Sequence, residues 1–276
     1  MPTNDQRTDY GRFIVEPYTP HLGADVVGVD LAAVDDELAA LVHEAWMDWK
    51  VLFFHDQDIT ADEHRAFALH FGEIDKHPYL DAEGDMAVID NPESPTSRSP
   101  WHTDATFRDA PPYASFLIAR VLPPAGGDTC FANMERTYEC LSDEVKELIE
   151  GRTATHSVAI NFARHLDGDA LAAELERFPP QHHPIVRTHP ITGRRGLFVS
   201  RSFTESIDDM DPDEGARLLD HLICETHRVE HQMRFRWRVN SLAMWDNRCT
   251  QHAPVYDYGP HRRRVERFTL AGERPT

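Results

Sequence analysis

The sequence predicts a mainly β chain with helical decoration, an α+β protein consistent with a jelly-roll core. Three observations lead there. Strand-like runs dominate from residue 113 onward, helical periodicity is confined to the front of the chain and to inserts, and no boundary splits the 276 residues in two. We therefore expect a loose polar tail over residues 1–10 and one domain over 11–276.

The elements follow in order. FIVEPY (13–18) and ADVVGVDL (24–31) read as short strands around a Pro/Gly turn. DDELAALVHEAWMDWK (35–50) has apolar residues at helical spacing and acids in its first turn. VLFFHDQ (51–57) reads as a buried strand, and ITADEHRAFALHFGEI (59–74) opens with a Thr60/Glu63 capping box and continues as a helix. Residues 76–100, rich in Pro, Ser, Asp and Asn, form a long loop around one strand, MAVID (86–90). Strands at 113–122 and 129–134 precede a helical insert at 141–151. Residues 153–195 mix turns with a short helical stretch near 168–178. GLFVS (196–200) is a strand, 213–230 a helix, and 233–238, 241–247 and 264–272 are closing strands.

Composition excludes several functions. The formal net charge is −19, which repels phosphate backbones and anionic membrane surfaces, so nucleic acid and membranes are not expected partners. No run approaches the roughly 20 apolar residues of a membrane helix. MPTNDQRTDYGRF lacks the apolar segment of a secretory signal, so a cytoplasmic location is expected. Cys130, Cys140, Cys224 and Cys249 show no CxxC spacing and read as reduced structural thiols. One local exception to the acidic balance is HRRRVER (261–267).

PWHTDATF (100–107) places His102 two residues before Asp104. With 17 histidines and 47 acids in the chain, about three such pairs arise by chance, and His165/Asp167 is another, so spacing alone does not make a metal site. On a strand, however, i and i+2 share a face, so both side chains could reach one ion. A third ligand, usually histidine, would complete the facial triad of non-haem Fe(II) oxygenases and leave positions open for a cosubstrate and O2. Candidates are numerous; His252, just past a predicted buried strand, stands out because the basic run follows it. Within that run Arg263 and Arg267 can face one side of a strand, and arginine suits the far carboxylate of a bound 2-oxoglutarate.

WHTDATF, GGDTCFANM, WDNRCTQHAPVYDY and RRRVERFTLAGERP, in that order, closely resemble the TauD/TfdA family of Fe(II)/2-oxoglutarate dioxygenases. The resemblance extends to LGADVVGVDL, FFHDQDITADEHRAFALHFGEI and VRTHPITGRRGLFVS. It implies a double-stranded β-helix core, iron on His102, Asp104 and His252, and 2-oxoglutarate near Thr129, Arg263 and Arg267, with Arg267 holding the carboxylate most directly. It implies oxidative decarboxylation to succinate and CO2, coupled to hydroxylation of an unactivated C–H, and a homo-oligomer, dimer or tetramer. His165 and Asp167 match nothing in the pattern.

For the substrate, the resemblance points to His77 and Arg267, and Arg98, close in sequence to the iron ligands, and Phe162 are further candidates. Taurine-type members carry a tyrosine where this chain has Leu80, with Tyr79 adjacent, and a neutral amide where it has Arg98. The expected substrate is a small organic anion, first a sulfonate or sulfate ester, second a carboxylate such as an aryloxyalkanoate. Two other classes stand beside the dioxygenase: a metal-binding β-barrel without oxygenase activity, and a metal-dependent hydrolase. Loss of a ligand or of Arg267 would mark the first, and all are present; the second would not need Thr129 and the two arginines.

Overall fold

The central strands are apolar on both faces, which requires a layer of structure on each side of their sheet. The computed structural model describes residues 6–76, 78–79, 82–96, 99–162, 166 and 168–276, the side chain of Phe162 excepted. Its strands are β1 Ile14–Pro17, β2 Ala24–Val27, β3 Val51–Phe54, β4 Ile74–Asp75, β5 Ala82–Glu83, β6 Met86–Asn91, β7 Ala114–Val121, β8 Thr129–Asn133, β9 Thr153–His156, β10 Gln181–Pro184, β11 Val186–Thr188, β12 Arg195–Leu197, β13 Thr204–Ile207, β14 Gln232–Phe235, β15 Leu242–Asp246, β16 Thr250–Pro254 and β17 Arg263–Leu270. The helices are α1 Asp36–Trp49, α2 Ala61–Leu69, α3 Met134–Glu139, α4 Asp143–Ile149, α5 Ala159–Phe162, α6 Gly168–Arg177 and α7 Pro212–Thr226.

The large sheet runs β1-β2-β3-β15-β7-β17-β6-β5, with β4 on β17; the small one runs β14-β8-β16. Strand alternation sorts each large-sheet side chain to one layer. Leu117, Ala119, Phe53, Ala243, Trp245 and Val265 turn inward and meet Phe131, Met233 and Phe235 of the small sheet. The rings of Phe53 and Phe235 stack across the two sheets at 3.9 Å. Phe116, Ile118, Leu52, Phe54, Met244 and Phe268 turn outward and are covered by Val42, Ala45, Trp46 and Trp49 of α1 and Phe67 of α2. Two facing sheets with helices outside make the jelly-roll architecture that the strand pattern predicts.

Local chemistry fixes the ends. Asp35 caps α1 by accepting from Leu38 N, and the Thr60/Glu63 box forms reciprocally at α2. The predicted helix over 59–74 stops at Leu69, because Ile74 and Asp75 pair instead with β17. The predicted strand through Met134 stops at Asn133, whose side chain accepts from Arg136 N and starts α3. The stretch 153–195, expected as turns with one helix, also holds β9, β10 and β11; His156, His182 and His183 break the apolar alternation that would have marked β9 and β10, and β11 is only three residues long. The tail expected over 1–10 is anchored at its far end: Tyr10 is buried, stacks on Phe13 and donates to Asp48.

Candidate active site

Three predicted side chains converge at the mouth between the sheets. His252 lies on β16 itself, not just past a strand, and faces inward beside Phe131 and Trp245. His102 joins it by a two-way backbone bridge: His102 N donates to His252 O at 3.1 Å and His252 N to His102 O at 2.8 Å. Asp104 does not sit on a continuing strand, as the i, i+2 argument supposed. It begins a turn whose Ala105 has φ +46°. The turn is pinned from behind, where His183 Nε2 bonds the carbonyls of Thr106 and Arg108, both at 3.0 Å, and His156 Nδ1 meets Thr106 Oγ1 at 2.9 Å.

His102 Nε2 and His252 Nε2 each lie 3.9 Å from Asp104 Oδ1, and the three ligand atoms fall within 4.8 Å of one another. The Pro100 carbonyl, 2.8 Å from His102 Nδ1, accepts the ring proton and leaves the Nε2 lone pair free. Burial lowers the pKa of His102; burial and then His102 itself push His252 down to about 3. Both rings are therefore neutral and able to donate to a metal. Asp104 is oriented by two residues the sequence reading missed. Ser115 Oγ and Asn247 Nδ2 donate to Oδ2 at 2.9 and 3.1 Å, which turns Oδ1 toward the histidines. The indole of Trp245 in turn holds Asn247 Oδ1 at 3.0 Å. Two imidazole nitrogens and one carboxylate oxygen on one side are the donor set of a non-haem iron site.

The pocket beside this cluster encloses about 300 Å³. Arg263 and Arg267, four apart on β17, share its wall, as alternation requires. Their roles diverge. Arg267 Nη1 lies 3.1 Å from Asp104 Oδ1. None of the described carboxylates forms an ion pair with Arg263; burial lowers its pKa, and its Nε donates to Gly127 O at 3.0 Å. Gly127 has φ +72°, and a Cβ there would stand 3.1 Å from Arg263 Cδ, so the GGDT turn lets the guanidinium pass against bare backbone. Thr129 lines the same end, its Oγ1 accepting from Trp237 Nε1 at 3.0 Å. Ile89, Phe107, Leu117, Phe203 and Trp237 supply apolar walls.

The sequence and fold recur in known proteins. The model of the family described as taurine catabolism dioxygenase TauD, TfdA family matches residues 14–269. The chain belongs to the TauD/TfdA family. The dioxygenase is 35% identical to an alpha-ketoglutarate-dependent sulfate ester dioxygenase of Pseudomonas putida, over 95% of this chain and 90% of that one. It is 34% identical to an alkylsulfatase of Acinetobacter baylyi, over 92% and 84%. The crystal structure of a taurine dioxygenase from Burkholderia xenovorans superposes with a TM-score of 0.81 at 34% identity, over 96% of this chain and 91% of that one. The chain is an Fe(II)- and 2-oxoglutarate-dependent oxidoreductase that uses O2.

His77 and Arg98, expected at the substrate, lie outside the described residues, as do His165, Asp167 and the side chain of Phe162. No described helix is long and apolar enough to cross a membrane. Tyr79 does line the pocket, and its hydroxyl bonds Glu174 of α6, which ties this residue to the helical insert.

Proposed function

We propose that this dioxygenase hydroxylates the carbon bearing the anionic group of an alkyl sulfate or amine-free alkylsulfonate, with iron on His102, Asp104 and His252. One observation carries the reading. Two buried guanidiniums, Arg263 and Arg267, line one pocket in which, among the described residues, Asp104 is the only carboxylate. Two cations and one committed acid suit two bound anions, the cosubstrate and an anionic substrate. Among the described residues no second carboxylate lines the pocket to take the ammonium of a zwitterion such as taurine, and relatives named for sulfate esters support the same choice.

Iron with bound 2-oxoglutarate and O2 supplies the oxidant for an unactivated C–H. The chain's own residues do the rest. Arg263 and Thr129 receive the far carboxylate of 2-oxoglutarate at the GGDT turn, and Arg267 lies nearer the ligand cluster, where it meets the substrate's anionic group. Ser115 and Asn247 keep Asp104 Oδ2 occupied, so Oδ1 is the oxygen that would hold the iron. Hydroxylation next to a sulfate oxygen gives a hemiacetal-like ester that collapses to an aldehyde and sulfate; a sulfonate gives an aldehyde and sulfite.

Anaerobic titration with Fe(II) and then 2-oxoglutarate tests the centre; a visible charge-transfer band is expected. Adding alkyl sulfates, alkylsulfonates, taurine and aryloxyalkanoates in turn tests the substrate. The amine-free sulfates or sulfonates should shift the band and release sulfate or sulfite with succinate. A shift and turnover only with aryloxyalkanoates would replace the reading by its carboxylate alternative.

A further inference from the structure

A second cavity, of about 860 Å³, opens next to the iron pocket. Four residues, Ser99, Asn161, Pro254 and Tyr256, line both spaces, so the two share a common rim. The iron pocket has room for about ten waters' share of volume, and 2-oxoglutarate, a five-carbon diacid, must take much of it. What remains accepts the reacting end of a substrate and little more.

The second cavity differs in character. Leu219 and Ile223 of α7 form one wall, and Trp101, Ile160 and Val255 complete an apolar lining. Its charges are internally settled or repulsive to an anion: Arg201 pairs with Asp220 at 2.6 Å, and Glu205 stands exposed. Among the described lining residues it offers no unpaired cation for a second acidic group. Its chemistry fits an uncharged chain.

We infer that the second cavity is the subsite for the substrate's apolar tail, so that the substrate is a monoanionic amphiphile. Its sulfate head lies at Arg267 and the iron ligands, and its alkyl chain crosses the rim at Ser99, Asn161 and Tyr256. The inference rests on the reading under Proposed function and adds the chain to the head.

The test is turnover of linear primary alkyl sulfates, from ethyl to dodecyl, by the iron-loaded enzyme, followed as sulfate released. The value of kcat/KM is expected to rise about three- to fourfold per methylene until the cavity is filled. Ala216→Trp on the exposed side of α7 and Val255→Trp from the opposite wall each fill the cavity without touching the core. Each should lower the ratio of kcat/KM for decyl over ethyl sulfate at least about tenfold. Turnover that is flat with chain length, or variants that keep the wild-type ratio, would overturn the tail subsite while leaving the sulfate reading intact. Variants that keep the ratio but change the sedimentation coefficient would make the cavity a contact between copies of the chain, and the tail subsite would fall. No sulfate from any chain length is a different failure: it removes the sulfate-ester reading itself and the tail with it.

Discussion

Two clusters in this molecule each combine a histidine, an aspartate and a third ligand-type residue within 4.8 Å: His102, Asp104 and His252, and His189, Asp246 and Cys249. By composition and spacing they are near equals, and both are buried or nearly so. They differ in what their lone pairs already do. Asp246 accepts from Arg248 through both oxygens and from His189 Nε2 at 3.0 Å. His189 Nδ1 accepts from the backbone of Ile191 and Thr192, so its proton sits on Nε2, toward Asp246. Burial alone would raise the Asp246 pKa, but Arg248 and His189 hold it well below the usual carboxylate range, while burial drives the Cys249 thiol well up. That cluster is saturated and ties the end of β15 to the 186–195 hairpin. In the first cluster Oδ1 of Asp104 and Nε2 of both histidines face one space. Ligand identity proposes a metal site; the convergence of two imidazole Nε2 atoms and one carboxylate oxygen on one pocket decides it.

The sharpest way to break the comparison is to remove each aspartate. Asp104→Ala should abolish the charge-transfer band with Fe(II) and 2-oxoglutarate and lower turnover by on the order of a thousandfold, since one of three ligands is gone. A variant that still turns over within tenfold of wild type would exclude Asp104 as a ligand. Asp246→Asn should act on the fold instead. It leaves Arg248 buried without its counter-charge, at a cost of about 3–5 kcal/mol in urea unfolding, yet the folded fraction should keep the band. Loss of the band in well-folded Asp246→Asn protein would erase the distinction between the two clusters.

A smaller effect separates the two pocket arginines. Arg263→Met should raise KM for 2-oxoglutarate about ten- to a hundredfold, the value of a lost charged hydrogen bond, with kcat changed far less. An equal fall in kcat with KM unmoved would return the main cosubstrate role to Arg267. The smallest effect is on pH. Burial first, then Arg120 for His64 and His183 for His156, pushes both histidines down to about 3. The unfolded chain binds those protons near pH 6.5 and the folded chain does not, so stability falls as pH drops from 6.5 toward 3. Chemical denaturation should show a loss of about 1 kcal/mol per histidine between pH 6.5 and 5.5, and His64→Leu should flatten that slope.

Much of the ligand cluster was legible because its pattern is local or lies on one strand: His102 with Asp104, and Arg263 with Arg267 at even spacing. What orients the ligands was not. Ser115 is one polar residue inside YASFLIARVL, and its meaning depends on facing inward toward Asp104, eleven residues back across the fold. Asn247 follows β15 and reads as a turn residue until Trp245 and Asp104 are seen on either side of it. The hint available in the sequence was that a hydroxyl at an inward position of a buried strand needs a partner. The short strands β9 and β10 were hidden for the opposite reason, since histidines sit where alternation asks for apolar residues.

The backbone bridge between His102 and His252 has a consequence for metal supply. Two peptide groups, not an ion, hold the imidazoles side by side, so the cluster exists before any metal arrives. A ready-made set of two nitrogens and one oxygen obeys the general order of divalent affinities, in which copper, nickel and zinc all exceed iron. Selectivity for iron therefore rests with the cell, which must keep those competitors scarce wherever this chain is loaded. The same ready-made cluster that spares the protein a metal-dependent folding step leaves it open to poisoning by the wrong ion.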